Sequence, residues 1–282
     1  MFVFWLIFLF IIGAALGSFV GALVYRLKKG GKFWQEFWKM KGKYSHSVCE
    51  KCGHRLNALD LIPVASWIFL RGKCRYCHKP IGWSALFLEV GVGLSFVISF
   101  IFWPNNLMNA DQIFGFILWL IAIILMAALM IYDIRWKILP NKFMWPLIGV
   151  SLIYAVINFV ALAMNNWSEA WIYLGEISLA LIPVFGVYLV LHLISRGKWV
   201  GFGDVKFGII VALLLADWRA ALIVLAGANL MASLFVLPQL ITKKLKTNSQ
   251  IAFGPFLIIA TFFAFIFKEP IIKFIEQYLF LI

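Results

Sequence analysis

The sequence predicts an all-α polytopic membrane protein with about eight transmembrane helices and a small cytoplasmic domain after the first helix. Hydrophobic residues make up 64% of the chain and charged residues only 13%, whereas soluble proteins carry about 25% charged residues. Most hydrophobic segments approach the ~20 residues that a helix needs to cross ~30 Å of hydrocarbon. The basic residues, in addition, are concentrated in the loops on one side of the predicted bundle.

The hydrophobic segments justify the helices in order. They cover residues 2–25, 84–103, 112–132, 143–164, 170–194, 205–216, 220–241 and 251–267. No basic residue precedes the first segment and Arg26 follows it, so we interpret it as an anchor helix with an outward N-terminus rather than a signal peptide. The sixth segment is short and follows a glycine-rich stretch, which predicts that this stretch lies partly at membrane depth, shielded by protein.

The distribution of Lys and Arg predicts the orientation. Residues 26–82 contain 13 of the 25 basic residues. Most of the others lie in the loops 133–142, 195–206 and 242–250, which the eight-helix topology puts on the same side. The opposite side keeps Arg219, Lys268 and Lys273. By the positive-inside rule the basic side is cytoplasmic. This topology accounts for the net charge of +13, so we expect no nucleic-acid partner although basic proteins often bind one.

Two of the 12 acidic residues lie where hydrophobic segments meet the basic side. Asp133 ends the third segment and Asp204 opens the sixth. Ionisable groups at the membrane are costly and usually functional. Each acid alone is equally well explained as a solvated helix end, paired with a neighbour such as Arg135 or Lys206. The topology places both acids at the same depth on the same face, which favours a functional pair.

Two carboxylates in a partly dry site cannot both ionise easily, so the pair holds one shared proton. The ionised member can then activate a water while the protonated member protonates the substrate. Gly201 and Gly203 beside Asp204 permit unusual backbone conformations and the close approach of an extended substrate. Pro140, seven residues after Asp133, predicts a turn that stops the third helix.

Several motifs together resemble one family. Residues 201–204, Gly-Phe-Gly-Asp, fit the Gly-x-Gly-Asp motif of membrane aspartyl proteases. Asp133, followed by Ile-Leu-Pro-Asn at 138–141, resembles the first-aspartate motif of the type IV prepilin peptidases. Other stretches agree in order: Gly-Ser-Phe at 17–19, Tyr-Arg-Leu at 25–27, Asp-Leu-Ile-Pro-Val at 60–64, Leu-Arg-Gly-Lys-Cys-Arg at 70–75 and Phe-Gly-Pro-Phe at 253–256.

The resemblance implies removal of a short basic leader from type IV prepilin or pseudopilin precursors at the cytoplasmic membrane face. Asp133 and Asp204 would be the catalytic pair, with no catalytic metal. Many members also methylate the new N-terminus with S-adenosylmethionine. The large first cytoplasmic domain favours the bacterial prepilin type over the preflagellin peptidases. Residues 81–89 keep an isoleucine and a glutamate of the family pattern but lack its Arg-Tyr-Pro, which weakens the methylation inference.

All four cysteines lie in the first basic loop, as Cys49, Cys52, Cys74 and Cys77. Two Cys-x-x-Cys pairs offer four soft ligands for tetrahedral zinc, and structural disulfides are not expected on a reducing cytoplasmic side. A domain this small has little core, so it would gain folding energy from a metal. We therefore predict about one structural zinc; unligated thiols are the alternative. The nearby histidines could support the ligands: His46, His54 and His78.

The predicted organisation has four parts. They are the first transmembrane helix at 1–25, the zinc-binding cytoplasmic domain at 26–82, the membrane peptidase domain at 83–267 and an amphipathic tail at 268–282 on the outer interface. Glu89 is a candidate for the methylation chemistry, although a carboxylate that snorkels to the interface is equally consistent with its position. Glu176 either lines a polar cavity near the site or lies near the outer surface.

Other classes of function remain open on the sequence alone. A transporter or channel also uses membrane acids, but it predicts acids near mid-span and an internal repeat. A Gly-x-Gly-Asp protease for another substrate predicts aspartates deeper in their helices. The boundary position of Asp133 and Asp204 and the cysteine-rich loop argue against both. A methyltransferase without peptidase activity would not need the two aspartates.

Overall fold

The computed structural model describes residues 1–28, 47–103, 107, 109–243 and 250–279. Within these ranges the chain forms ten α-helices, and its only β-structure is two isolated bridges. The described helices form seven continuous helical segments that are long and apolar enough to cross a membrane. The predicted all-α, multi-pass architecture is therefore confirmed. The chain divides into two compact units, Met1–Ile101 and Phe102–Ile282.

Unit 1 contains two membrane helices and the loop between them. Its elements are α1 (Phe2–Lys28), a short 3-10 helix (Ala58–Leu61), α2 (Ala65–Phe69) and α3 (Trp83–Ile101). Glycines bring the first and last of these into close contact: a methyl group on Gly17 would lie 2.8 Å from the carbonyl oxygen of Leu88. Small residues at such an interface let two helix backbones approach each other, which is a common way to join helices in lipid.

A buried carboxylate ties the loop of unit 1 to α3. Glu89 is buried in the second turn of α3, and its Oε2 accepts a hydrogen bond from the Val64 backbone N–H at 2.7 Å. Val64 has φ 62° and ψ −53°, an outlying conformation for a β-branched residue. Such strain persists only where the surroundings hold it. The hydrogen bond that Val64 donates to Glu89 therefore fixes the point at which α2 begins.

Unit 2 contains the remaining seven described α-helices. They are α4 (Ala110–Trp136), α5 (Asn141–Asn165), α6 (Trp167–Ala180), α7 (Val187–Ser195), α8 (Phe202–Leu215), α9 (Trp218–Ile241) and α10 (Gly254–Leu279). One turn of π-helix, Ile182–Gly186, joins α6 to α7, so that Trp167–Ser195 forms a single candidate span.

The short helix α8 is the centre of unit 2. It packs against α5, α6, α7, α9, α10 and the π-turn. Its buried residues point in every direction around the helix: Val205, Phe207, Gly208, Ile210, Val211, Ala212, Leu214 and Leu215. With 14 residues it is about 21 Å long at 1.5 Å per residue. Because protein surrounds it, its ends can lie at membrane depth without exposing backbone groups to lipid.

The π-turn lets α8 approach the neighbouring helix very closely. Pro183 lies inside this turn and has no N–H to donate, which interrupts the regular helical hydrogen bonds. A methyl group on Gly208 of α8 would lie 2.4 Å from the backbone nitrogen of Phe185. Since the obstructing atom is backbone, only glycine fits at this position without a shift of one helix.

The predicted helices agree with the observed ones to within a few residues, with one difference at the C-terminal end. The sequence separates a tail at 268–282 from the last span, but α10 continues to Leu279 through a kink at Phe267. Pro270 accounts for the kink because its ring removes a helical hydrogen bond and clashes with the preceding turn. The interfacial location of the tail stays a prediction.

We expect Gly208→Ala to lower the free energy of unfolding by about 1–3 kcal/mol, because overpacking against the Phe185 backbone outweighs the better helix propensity of alanine. Gly149→Ala in α5 is the matched control, since a methyl group there meets nothing within 4 Å. Thermal unfolding in detergent measures both variants. A melting temperature for Gly208→Ala equal to that of Gly149→Ala would contradict the close packing.

Candidate functional site

Asp133 lies in the last turn of α4 and is 5% exposed. Its Oδ2 accepts a hydrogen bond from the backbone N–H of Gly254 at 2.9 Å. Lys137 caps the helix in a left-handed conformation and donates its backbone N–H to the Asp133 carbonyl at 2.7 Å. The side chain is thus fixed by the start of α10, a segment 121 residues away in sequence.

Asp204 lies in the first turn of α8. Its backbone N–H donates to the carbonyl of Gly201, the N-cap residue, at 3.1 Å. The carboxylate is directed back toward this N-cap, since a methyl group on Gly201 would lie 3.3 Å from its Oδ2. The carboxyl groups of Asp204 and Asp133 lie close enough together to interact electrostatically. The structure therefore brings the two aspartates of the sequence motifs into one site.

Leu139 joins the three backbone segments of the site. A methyl group on Gly203 would lie 2.8 Å from Cβ of Leu139. A methyl group on Gly254 would lie 3.0 Å from Cδ2 of Leu139 and 2.8 Å from Oδ2 of Asp133. The loop after α4, the start of α8 and the start of α10 thus meet at one leucine. The glycines of the motifs are required by contacts within the chain itself, in addition to any approach of substrate.

Basic side chains at the rim of the site bind neutral partners. Lys206 donates to Oδ1 of Asn141 at 2.9 Å and lies 5.0 Å from the ring centre of Phe202. Lys137 donates to the backbone carbonyl of Gln250. The sequence suggests Lys206 as an ion-pair partner of Asp204. In the structure, the Lys206 ammonium instead donates its hydrogen bond to Asn141. These bonds tie the ends of α4, α5, α8 and α10 together around the carboxyl pair.

A polar pair beside Asp204 was not predicted. Tyr188 of α7 is buried, and its hydroxyl accepts a hydrogen bond from Nδ2 of Asn229 in α9 at 3.0 Å. The Tyr188 phenol interacts electrostatically with Asp204 and its ring contacts Phe253 edge-on. The sequence offers one indication, because Asn229 is a polar amide in the middle of a mostly apolar span.

His192 holds the loop that leads to Asp204. Its Nδ1 lies 2.8 Å from the carbonyl oxygen of Val200, with which it shares a hydrogen bond, and its ring contacts Phe202 at 5.4 Å between centroids. Gly197 packs against the same imidazole ring, since a methyl group on Gly197 would lie 3.1 Å from its Cε1. His192 is thus a hydrogen-bonded histidine in the last turn of α7.

The two cysteine pairs of unit 1 form the same kind of turn. The Cys49 N–H donates to the His54 carbonyl, and the Gly53 N–H donates to the Cys49 carbonyl, both at 2.9 Å. The second pair repeats these bonds with Cys74 N–H to Lys79 at 2.9 Å and His78 N–H to Cys74 at 3.0 Å. Gly53 and His78 occupy equivalent places and both have positive φ, 72° and 53°.

The four sulfurs of Cys49, Cys52, Cys74 and Cys77 lie within 4.8 Å of one another. A tetrahedral zinc with Zn–S bonds of ~2.3 Å separates its sulfurs by about 3.8 Å, and Sγ of Cys49 lies 4.0 Å from Sγ of Cys77. Burial raises the pKa of Cys49, but hydrogen bonds from the backbone of Cys52 and Lys51 outweigh it and lower the pKa to about 7. The cluster can bind a metal.

Asp60 connects the short 3-10 helix to the second cysteine turn. Its carboxylate is 3% exposed and accepts bonds from Nε of Arg75 at 2.7 Å and from the hydroxyl of Tyr76 at 3.3 Å. Burial raises the pKa of Asp60, but the bonds from Arg75 and from the Asn57 backbone outweigh it, so the pKa lies below its ordinary value. The ring of Tyr76 stacks on His54 at 3.7 Å. His46 lies outside the described residues.

The two glutamates that the sequence singles out, Glu89 and Glu176, have different surroundings. Glu89 is bonded to Val64 and is therefore not a carboxylate that snorkels freely to the interface. Glu176 interacts electrostatically with Arg219, and its buried Oε2 has no hydrogen-bond partner among the described residues. Arg219 also binds Asp217 and Glu276. Glu176 thus belongs with residues that the predicted topology places on the outer side, away from Asp133 and Asp204.

Comparison with known proteins agrees with this arrangement. The profile described as "Type IV leader peptidase family" matches residues 120–237, which contain both aspartates. The profile described as "Bacterial Peptidase A24 N-terminal domain" matches residues 11–103, which contain all four cysteines. The chain belongs to the type IV leader peptidase family. This membership confirms the family to which the motifs of the sequence pointed.

Curated relatives of this leader peptidase are similar over most of its length. The protein named "Prepilin leader peptidase/N-methyltransferase" of Dichelobacter nodosus is 29% identical over 80% of this chain and 72% of the relative. That of Stutzerimonas stutzeri is 25% identical over 93% of this chain and 90% of the relative. That of Vibrio cholerae is 29% identical over 72% of this chain and 74% of the relative. No solved structure matches the chain significantly.

Proposed function

We propose that this protein is an aspartyl endopeptidase that removes the leader peptide from type IV prepilin or pseudopilin precursors, with Asp133 and Asp204 as its catalytic pair. The observation that carries the proposal is the meeting of two acids from distant motifs at the N-terminus of the central helix α8. Both acids lie at helix ends rather than at mid-span, which supports a peptidase over a transporter. Membership of the leader peptidase family supports the same conclusion.

The proposed reaction is hydrolysis by one water molecule. The ionised aspartate takes a proton from the water as its oxygen attacks the carbonyl carbon of the scissile peptide. The protonated aspartate gives its proton to the leaving amine as the carbon–nitrogen bond breaks. The Gly254 N–H holds the Asp133 carboxylate in one orientation. The N-cap of α8 holds Asp204, so neither group needs to reorganise before it reacts.

We expect Asp133→Asn and Asp204→Asn each to lower the rate of leader removal by at least about a hundredfold, because an amide cannot exchange the shared proton. The measurement is cleavage of a matched prepilin by the full chain in liposomes. Asp111→Asn is the matched control, since Asp111 lies in the first turn of the same helix as Asp133. Cleavage near the wild-type rate by either folded active-site variant would show that the carboxyl pair is not catalytic.

We also propose that the cysteine cluster holds one structural zinc, with Cys49, Cys52, Cys74 and Cys77 as ligands. The compact set of four sulfurs and the paired turns that present them support this assignment. Bound zinc would supply no step of the peptidase reaction. It would stabilise the loop between α1 and α3, whose described part, residues 47–82, has few buried apolar residues of its own.

Protein purified under reducing conditions should contain about one zinc per chain by elemental analysis. Cys52→Ser should lose most of this metal, because three cysteines do not complete the tetrahedral site. His54→Ala is the control: its ring is exposed and stacks on Tyr76, so the variant should keep its zinc. Wild-type protein with reduced cysteines and no bound metal would overturn the zinc proposal.

The N-terminal part supports a second activity, methylation of the new N-terminus with S-adenosylmethionine as co-substrate. The match of residues 11–103 to the bacterial N-terminal domain and the name of the relatives, which includes N-methyltransferase, support this proposal. The domains are proposed as 1–25, 26–82, 83–267 and 268–282. The distribution of basic residues supports an outward N-terminus, with the cysteine loop and both aspartates on the cytoplasmic side of the inner membrane.

We expect the full chain to transfer a labelled methyl group from S-adenosylmethionine to a pilin whose leader has already been removed. Asp133→Asn should transfer methyl groups at the wild-type rate to this pre-cleaved pilin, because methylation does not use the peptidase acids. Radioactivity in the pilin band measures transfer. The proposed second activity fails if the wild-type protein, competent in cleavage, leaves the pilin unlabelled.

A further inference from the structure

The loop of unit 1 exposes large apolar side chains in a short segment before α3. We call residues 59–69 the interfacial segment; it runs from the 3-10 helix through α2. Within it, Leu59 is 60% exposed, Ile68 59% and Phe69 84%. Packing among the described residues of unit 1 does not explain a five-residue helix with two adjacent apolar side chains exposed. Exposed apolar clusters of this kind mark contacts with a membrane or a partner.

The depth of this segment along α3 favours the membrane. The hydrogen bond from Val64 to Glu89 fixes the start of α2 beside the seventh residue of α3. At 1.5 Å per residue this point lies about 9 Å below the start of α3. With 19 residues, α3 spans about 28 Å, slightly less than the ~30 Å of hydrocarbon. The start of α2 therefore lies at or below the boundary between headgroups and acyl chains rather than in the aqueous phase.

Aromatic rings make the interfacial segment continuous with the outer surface of α3. The rings of Trp67 and Trp83 lie 4.7 Å apart, and that of Phe87 follows at 6.1 Å from Trp83. Trp83 and Phe87 are 63% and 68% exposed on a helix that crosses the membrane. Tryptophan at the end of a membrane span is typical of the interface. The exposed surface of α2 thus extends a surface that already faces lipid.

The charge around this segment matches an anionic lipid surface. Arg71 and Lys73 follow α2 directly and are exposed. The described loop, residues 47–82, contains only two acids, Glu50 and Asp60, and Asp60 is bonded to Arg75. Basic residues beside an apolar interfacial helix are attracted to anionic headgroups. A partner protein would have to offer both an acidic surface and an apolar groove at the same membrane depth.

We propose that the interfacial segment is a membrane anchor: Ile68 and Phe69 insert between the lipids of the leaflet at which α3 begins, and Arg71 and Lys73 bind anionic headgroups. The cysteine-rich loop then rests on the bilayer instead of extending freely into the aqueous phase. This contact does not depend on the peptidase or methylation activities. The proposed ligand of the interfacial segment is lipid. Binding of a precursor or of a second copy of the chain to this segment would be a different result of the test.

The test places a photoreactive benzophenone amino acid at position 69 of the full chain, reconstituted in vesicles of phosphatidylcholine with phosphatidylglycerol. The control places it at position 51, an exposed residue between Cys49 and Cys52. Mass spectrometry of the irradiated protein should show acyl-chain adducts roughly fivefold more often at 69 than at 51. Zinc content and melting temperature confirm that both variants are folded.

The charge contribution is tested by the double variant Arg71→Gln/Lys73→Gln with the same probe at position 69. Lipid adducts should rise with the phosphatidylglycerol fraction in the parent protein, and this dependence should weaken in the double variant. Equal adducts at positions 51 and 69 would overturn the proposal. Adducts at 69 to an added prepilin or to a second chain, in place of lipid, would overturn it as well and identify the segment as a protein-docking surface.

Discussion

The packing of α8 among the other helices is the constraint on which unit 2 depends. With 14 residues it is too short to be a candidate membrane span, so it must be surrounded by protein wherever its backbone ends would otherwise meet lipid. Five helices and the π-turn provide that surround. The arrangement places the N-terminus of α8, with Asp204, inside the helical bundle and beside the end of α4.

Close approach of backbones is the second feature of the site, and glycine makes it possible at several points. Gly208 packs against the backbone of Phe185, and Gly203 and Gly254 both pack against Leu139. Leu139 therefore packs against the backbone beside both Asp133 and Asp204. Interiors as dense as this transmit small displacements, because few voids can absorb them. A shift of the loop after α4 would thus move the surroundings of Asp133 and Asp204 together.

Sequence reasoning anticipated the helices of this chain well, because a membrane helix needs a long apolar run and such runs are visible directly. Asp133, Asp204 and the four cysteines also stand out by residue type and spacing, and the structure brings the residues of each set together; their roles stay predictions. The contacts of Val64 with Glu89 and of Tyr188 with Asn229 were not predicted. Each joins residues 25 or 41 positions apart whose types are common, and only the packing of helices determines that they meet. The π-turn was likewise missed, since Pro183 alone predicts an interruption but not its form.

The cysteine-rich loop is constrained within itself and against α3. Its two turns present one cluster of sulfurs, and a metal bound there would close the 3-10 helix and α2 into a ring of chain. Closing such a ring removes conformations from the unfolded chain. Val64 adds a further attachment, on Glu89, and the peptide chain itself enters α3 at Trp83. The described part of the loop is therefore attached to α3 at two points, one of them in the second turn of that helix, so a rotation of α3 would turn the start of α2 with it.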